Sequence, residues 1–297
     1  MNRDYEGILI INKEKGFTSN DVVAVLRGIL HMKKIGHTGT LDPDAVGVLP
    51  VCLGKGTKLV SMMTDMDKEY TAVARLGVVT DTDDMTGEIL QNKEISSDSE
   101  PSIEDIKKAL DSFLGGYDQI PPMYSAKKVN GKKLYELARE GIEIKRRPCH
   151  VEIHEIEVLS YSFPNVSFRV RCGKGTYIRS LIRDMGELLK TGAAMESLVR
   201  NSVSAFTMGE ALTLKEVEEH VENGDISGFI KSPESVFADL PLITVKGDTE
   251  KLVRNGNKFR TEKVLPGGDY RVRTEDGRFA AVYTLKGREA VLKRMFL

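Results

Sequence analysis

The run from Gly36 to Pro50, Gly-His-Thr-Gly-Thr-Leu-Asp-Pro-Asp-Ala-Val-Gly-Val-Leu-Pro, constrains this chain more than any other stretch. Gly36 and Gly39 keep the residues before Asp42 out of regular structure, Pro43 fixes the backbone just after it, and an apolar run begins at Val46. The spacing predicts a carboxylate held on a stiff turn at the edge of a core. An ordinary Asp-Pro turn needs one or two special residues. This one also carries His37, Thr38 and Thr40, which points to chemistry at Asp42.

The rest of the chain reads as α+β. Gly7 to Asn12 and Val48 to Leu53 are apolar runs suited to buried strands, and Tyr70 to Val78 is a third strand with partial alternation. Thr18-Ser19-Asn20-Asp21 is a capping box followed by Val22, Leu26, Ile29 and Leu30 at helical spacing. Thr57 to Thr64 predicts a short helix. Ser102-Ile103-Glu104-Asp105 caps another, closed by Gly115-Gly116. Val151, Ile153 and Glu155 alternate with His150, Glu152 and His154 as one strand, and Val166 to Cys172 alternates as a second. Ile178, Leu181, Ile182, Met185, Leu188 and Leu189 trace one helix face opened by Thr176. Several strands run consecutively, so a mixed sheet flanked by helices is expected, not a doubly wound one. Past Pro241, Tyr270 to Thr274, Phe279 to Leu285 and Glu289 to Phe296 predict a small β-rich module.

A chain of 297 residues has room for one large core and a smaller second one. Its net charge of -1 hides an uneven distribution, because residues 241–297 hold 13 Lys and Arg against 7 Asp and Glu. A second basic patch lies at Lys127 to Arg147, and both are candidate surfaces for a polyanion. Cys52, Cys149 and Cys172 are odd in number and scattered, which favours a reducing compartment over a disulfide framework or structural zinc. Met1 to Glu6 has no signal-peptide character and no apolar run reaches membrane-spanning length, so a cytoplasmic protein without membrane attachment is expected.

Three tempting motifs fail. Gly54-Lys55-Gly56-Thr57 and Gly173-Lys174-Gly175-Thr176 echo a phosphate loop, but neither has a glycine six residues before its lysine, five before the adjoining glycine. His150 and His154, on an extended segment, lie too far apart to share a zinc. Asp42-Pro43-Asp44-Ala45-Val46 matches the Asp-x-Asp-x-Val of haloacid-dehalogenase-type phosphatases, yet no apolar strand precedes it.

Gly-His-Thr-Gly-Thr-Leu-Asp-Pro with Gly-Val-Leu-Pro-Val resembles the catalytic motif of the bacterial tRNA pseudouridine-55 synthases, the TruB family. Asp67-Lys68-Glu69-Tyr70, Thr80 to Asp84, Ile120 to Lys128 and Lys174 to Arg179 are similar to further family signatures, in the family's order. One departure is Glu14, where the family usually has proline. The resemblance implies a pseudouridine synthase-like sheet, a catalytic domain over 1–240 with a basic RNA-clasping insertion at 119–147, and a PUA-like RNA-binding module at 241–297. It implies Asp42 as nucleophile or base, with attack on sugar C1′, attack on base C6 and abstraction of the 2′ proton all open. It further implies Arg179 as the partner that orients Asp42 and lowers its pKa, Asp84 on the far side of Arg179, and Tyr70 against the uracil. His37, Tyr177, Leu198, Arg200, Lys127 and Lys128 fall on the substrate-binding side. The implied substrate is the T-arm stem-loop of tRNA. No cofactor, metal or obligate protein partner is expected, and the chain is expected to be a monomer. The rivals are the guide-RNA-dependent relative, which needs protein partners and a larger tail and is therefore not the expected one, the aspartyl phosphatase, and an RNA-binding protein without chemistry.

Overall fold

A computed structural model describes residues 5–129 and 131–297; Met1 to Asp4, part of the N-terminal segment read above, and Asn130 within the basic insertion lie outside the described residues. Among these residues the central sheet has eight strands, β1 (Gly7–Lys13), β2 (Ile35–His37), β3 (Val46–Leu53), β4 (Lys68–Leu76), β5 (Ile153–Ser162), β6 (Asn165–Cys172), β7 (Ala193–Val203) and β8 (Phe206–Thr207). The order is β1-β3-β7-β4-β6-β5, with β2 on β3 and β8 on β7. Only the pairing of β3 with β7 is parallel, so the sheet is mixed and largely antiparallel, as the run of consecutive strands implies.

Four helices cover it. The helix α1 (Ser19–Ile29) starts at the capping box, where Thr18 Oγ1 accepts from the Asp21 N–H and the Asp21 carboxylate accepts from the Thr18 N–H. The same device, built on Ser102 and Asp105, opens α2 (Ile103–Asp111). The helix α3 (Ile178–Leu188) has no side-chain cap, and Tyr177 holds its N-cap position. Thr176, expected to open it, turns its hydroxyl back onto the Gly173 carbonyl. Leu181, Ile182 and Met185 of α3 and Ile106 and Leu110 of α2 pack on Phe168, Val170 and Ala72 of the sheet. At the other end, α1 and α4 (Leu214–Asn223) pack on Leu9, Ile11, Leu49 and Val51.

Four local expectations are corrected. The stretch before Asp42, expected outside regular structure, begins in the strand β2, where Gly36 pairs with Cys52. The strand predicted from Tyr70 to Val78 breaks at Gly77, whose φ of 86° turns the chain, and Val78–Thr80 pairs with Ile89–Asn92 as a separate hairpin. The predicted strand through His150 and His154 divides at Glu152. Cys149–Val151 pairs with Tyr117–Gln119, whereas β5 joins the central sheet, so the histidines belong to different sheets. The helix predicted over Thr57 to Thr64 is a 3-10 turn, Gly54–Leu59, running into an α-helix, Val60–Thr64.

The last part of the chain forms a five-stranded sheet ordered Leu242–Thr244, Gly268–Arg273, Phe279–Lys286, Glu289–Met295, Phe259–Arg260. It docks on the face of β1 and β3 opposite α1. Phe237, Phe279 and Phe296 meet there, the last two stacked at 4.9 Å, against Ile8, Ile10 and Cys52. Glu234 bridges Arg271 at 3.3 Å and Arg273 at 2.9 Å across the same junction.

Candidate active site

The turn between β2 and β3 is held from beneath. Lys13, the last residue of β1, is 0% exposed, and its ammonium donates to the carbonyls of Glu14 at 3.1 Å, Phe17 at 2.7 Å and Pro43 at 3.0 Å. Burial pulls its pKa down to about 8, opposed by the carboxylates of Asp42 and Asp44. Ser19, at the start of α1, accepts from the Leu41 N–H at 2.9 Å. Arg200 on β7 is 1% exposed and donates to Val48 O at 2.7 Å and Gly39 O at 3.3 Å, so it grips the turn at both ends.

Asp42 projects from this turn toward α3. Arg179 Nε lies 2.9 Å from Asp42 Oδ2 and its Nη2 donates to Oδ1 at 3.1 Å, a bidentate fork. The remaining donors of the guanidinium go to Thr82 O at 2.8 Å and Tyr124 O at 2.8 Å, and Nη1 stands 3.7 Å from Asp84 Oδ2. Arg179 is 5% exposed while the Asp42 side chain is 36% exposed. The guanidinium is therefore fixed inside the protein and the carboxylate reaches solvent on one side. Asp84 is itself fixed, its Oδ1 accepting from Thr82 Oγ1 at 2.7 Å and from Thr86 N at 3.0 Å and Oγ1 at 2.5 Å.

Arg179 acts on the Asp42 pKa in the expected, lowering direction, but the net shift is upward. Burial pushes the Asp42 carboxyl above its ordinary range, and the Arg179 charge opposes that without cancelling it. Asp84 adds a further upward push.

Tyr70 lies opposite Arg200 across β4 and β7 and opposite Val170 across β4 and β6. Burial raises its phenol pKa, so the hydroxyl keeps its proton at neutral pH. Leu198, two residues before Arg200, joins Leu41, Ala45 and Tyr70 in one apolar cluster. Asp42, Tyr70, Asp84, Arg179 and Leu198 thus converge from separate parts of the chain. His37, half-buried at the end of β2, accepts from the Gly39 N–H at 3.4 Å, and burial beside Arg200 lowers its pKa. Arg200 stands away from solvent; its guanidinium holds the turn and also bears on the Tyr70 phenol, where it opposes the effect of burial. Tyr177 is half-buried ahead of α3. Lys127 donates to Cys149 Sγ, and exposed Lys128 sits on a short ribbon opposite Lys133.

Sequence reasoning missed Lys13, Thr82 and Gln119 as contributors. For Lys13 a signal existed, a cation ending an otherwise apolar strand. For Thr82 and Gln119 none did, because Thr82 reaches Arg179 through its backbone carbonyl and Gln119 acts through a neighbour's backbone. A cavity of about 530 Å³ lined by Tyr5, Glu6, His31, Met32, Lys33, Lys34, Gly54 and Lys55 lies at the other end of β1 from Asp42.

Residues 27–178 match the model of the TruB family pseudouridylate synthase N-terminal domain, and residues 179–236 match the tRNA pseudouridylate synthase B C-terminal domain. The chain belongs to the TruB family. It is 50% identical over 271 residues to the tRNA pseudouridine synthase B of Lachnoclostridium phytofermentans, a match covering 87% of each chain. To the tRNA pseudouridine synthase B of Clostridium novyi it is 42% identical over 295 residues, covering 98% of this chain and 99% of the relative. Among solved structures, a Cbf5-Nop10-Gar1 complex superposes with a TM-score of 0.73 at 27% identity, covering 98% of this chain and 85% of that one. The TruB match joins the Asp42 turn to the α3 arginine in one family, with the division between the two family models falling at Ile178, one residue before Arg179.

Proposed function

We propose that this chain is a tRNA pseudouridine synthase that isomerises uridine 55 in the T-loop, using Asp42 and no cofactor. The observation that carries the reading is the Asp42 carboxylate, gripped in a bidentate fork by a buried guanidinium and open to solvent on its other side. Pseudouridine formation breaks the bond between N1 and C1′, turns the base, and joins C1′ to C5. A proton leaves C5 and one arrives on N1, so atoms and electrons balance without an oxidant or an energy source. A fixed carboxylate serves as the nucleophile or base this requires.

Around it, Tyr70 stacks on the uracil and offers a protonated hydroxyl, and Leu198 walls the ring. Arg179 holds Asp42 oriented and favours its ionised form, with Asp84 behind it. The uridine has to leave the loop's stack first, which costs a few kcal/mol, and His37 stacks on the neighbouring nucleotide. Residues 1–240 form the catalytic domain in this reading. The basic 119–147 segment clasps the stem-loop, Lys127 and Lys128 neutralise phosphates, Tyr177 faces the RNA, and residues 241–297 act as a PUA-like module further along the tRNA. Arg200, so deeply placed, contributes by holding the turn that presents Asp42 to the substrate. The enzyme works as a monomer without an obligate protein partner. The curated relatives, matched over nearly their whole length, support this reading over the guide-RNA-dependent one. Pseudouridine mapping on a tRNA transcript incubated with the protein should give one modified position, 55. A transcript left unmodified, or modified elsewhere, would contradict the proposal.

A further inference from the structure

Gln119 ends the short strand Tyr117–Gln119, at the point where the 119–147 segment leaves the body of the fold, and it is 1% exposed. Its carboxamide is used on both sides. The Oε1 accepts from the backbone N–H of Tyr177 at 2.9 Å, and the Nε2 donates to the Tyr177 carbonyl at 3.0 Å and to the Tyr117 hydroxyl at 2.6 Å. That hydroxyl in turn donates to Asp184 Oδ2 at 3.0 Å, on α3 itself. Tyr177 is the N-cap position of α3, has no side-chain cap, and precedes Arg179 by two residues. A side chain that clamps both polar groups of this residue's backbone therefore sets where the first turn of α3 begins.

The next residues of the segment are tied to the same helix. Ser180 Oγ and Arg183 Nη2 both donate to Ile120 O, at 3.1 and 3.0 Å, and Arg179 Nη2 donates to Tyr124 O at 2.8 Å. Residues 180 and 183 are one turn apart on α3, so the root of the segment lies along one flank of the helix that carries the Asp42 partner. Arg179 Nη2 contacts Asp42 and this root at once.

We infer that Gln119 is a positioning residue that fixes the start of α3 through Tyr177, so that seating of the 119–147 segment and the Arg179 fork on Asp42 are set together. The inference rests on the reading of Asp42 as the reactive carboxylate and of 119–147 as an RNA clasp. Gln119 touches neither Asp42 nor the reacting base; it acts through the Tyr177 backbone.

The test uses the full chain carrying Gln119→Met, which keeps length and removes every hydrogen bond of the side chain. Its readings are stem-loop affinity, single-turnover rate at saturating stem-loop from acid to neutral pH, and the thermal midpoint. The charged groups facing Asp42 are Arg179 from α3, Asp84 from the loop after Thr80, and Lys13 at the end of β1; the substitution reaches Asp42 only through Arg179. The rate should fall roughly 10- to 100-fold, as for a misplacement of about 1 Å at a reacting group, and stem-loop affinity should fall with it because the same contacts seat the clasp. The acid limb should also move to higher pH, because a slackened Arg179 opposes burial less. A purely structural role would lower the folded fraction and leave that limb where it is. If the methionine variant melts below the assay temperature, Gln119→Asn, with the same amide one methylene shorter, decides by the same readings. An unchanged rate and limb in a folded variant, a loss in affinity alone, or failure of both variants to fold would overturn the inference. A parent chain that makes no pseudouridine on the stem-loop would instead overturn the proposed function.

Discussion

Replacing Arg179 by lysine keeps a positive charge near Asp42 and removes the fork. In the parent, five hydrogen bonds and ion pairs leave the guanidinium, two to Asp42 and one each to Thr82 O, Tyr124 O and Asp84. A lysine has three donors on one nitrogen and cannot reach both carboxylate oxygens and both carbonyls. Losing one charge-assisted hydrogen bond removes about 1.5–3 kcal/mol, and each carbonyl left without a partner costs about 1 kcal/mol or more. Because the Asp42 side chain is 36% exposed, water recovers part of this. A net loss of about 3 kcal/mol expressed in the transition state corresponds to roughly 100-fold in rate. The assay is single-turnover pseudouridine formation on a prefolded T-arm stem-loop across pH. In the proposed reaction Asp42 works ionised, and burial already holds its pKa above the ordinary range. Weakening the one strong opposing charge raises it further, so activity should be lost at a higher pH as the solution is acidified. A lysine variant within about threefold of the parent, with its acid limb unmoved, would refute the reasoning.

Gln at Lys127, Lys128, Lys132 and Lys133 together should weaken binding of the stem-loop and flatten its salt dependence, by up to roughly 0.7–0.9 of a log-log unit for each phosphate no longer neutralised; unchanged affinity and slope would make these lysines a solvated face only. Gly47→Ala should be severely destabilising, by about 3 kcal/mol or more, because a Cβ there would stand 2.3 Å from the Arg200 carbonyl at a φ of +109°. Denaturant unfolding reads this, and a midpoint equal to the parent's would contradict the close approach of β3 to β7.

Legibility in the sequence followed the range of the interactions. The capping boxes at Thr18 and Ser102 could be read because all their partners lie within four residues, and the strand Gly7–Lys13 because its apolar run is continuous. The Asp42 turn stood out because its glycines and prolines act on their own backbone. Most of what was missed depends on interactions between distant segments; the helix Leu214–Asn223 is the exception, since its capping box, Thr213 with Glu216, is local and went unread. Gly77 looks like a residue within a strand until the separate pairing of Val78–Thr80 is seen, and Arg200 looks like an RNA contact until its reach to Gly39, 161 residues away, is known. The sign of the Asp42 shift needed the depth of its burial, which spacing along the chain does not contain.

Asp42→Asn tests the central claim most directly. The amide keeps the shape of the side chain and removes the charge, while Lys127, Lys128 and the 241–297 module stay as they are. Position-resolved pseudouridine mapping on a tRNA transcript, run beside a binding measurement on the same preparation, should show tRNA bound with affinity close to the parent's and no pseudouridine formed at position 55. Substantial conversion by the folded Asn variant would contradict the account, since the reaction would then not depend on the Asp42 carboxylate.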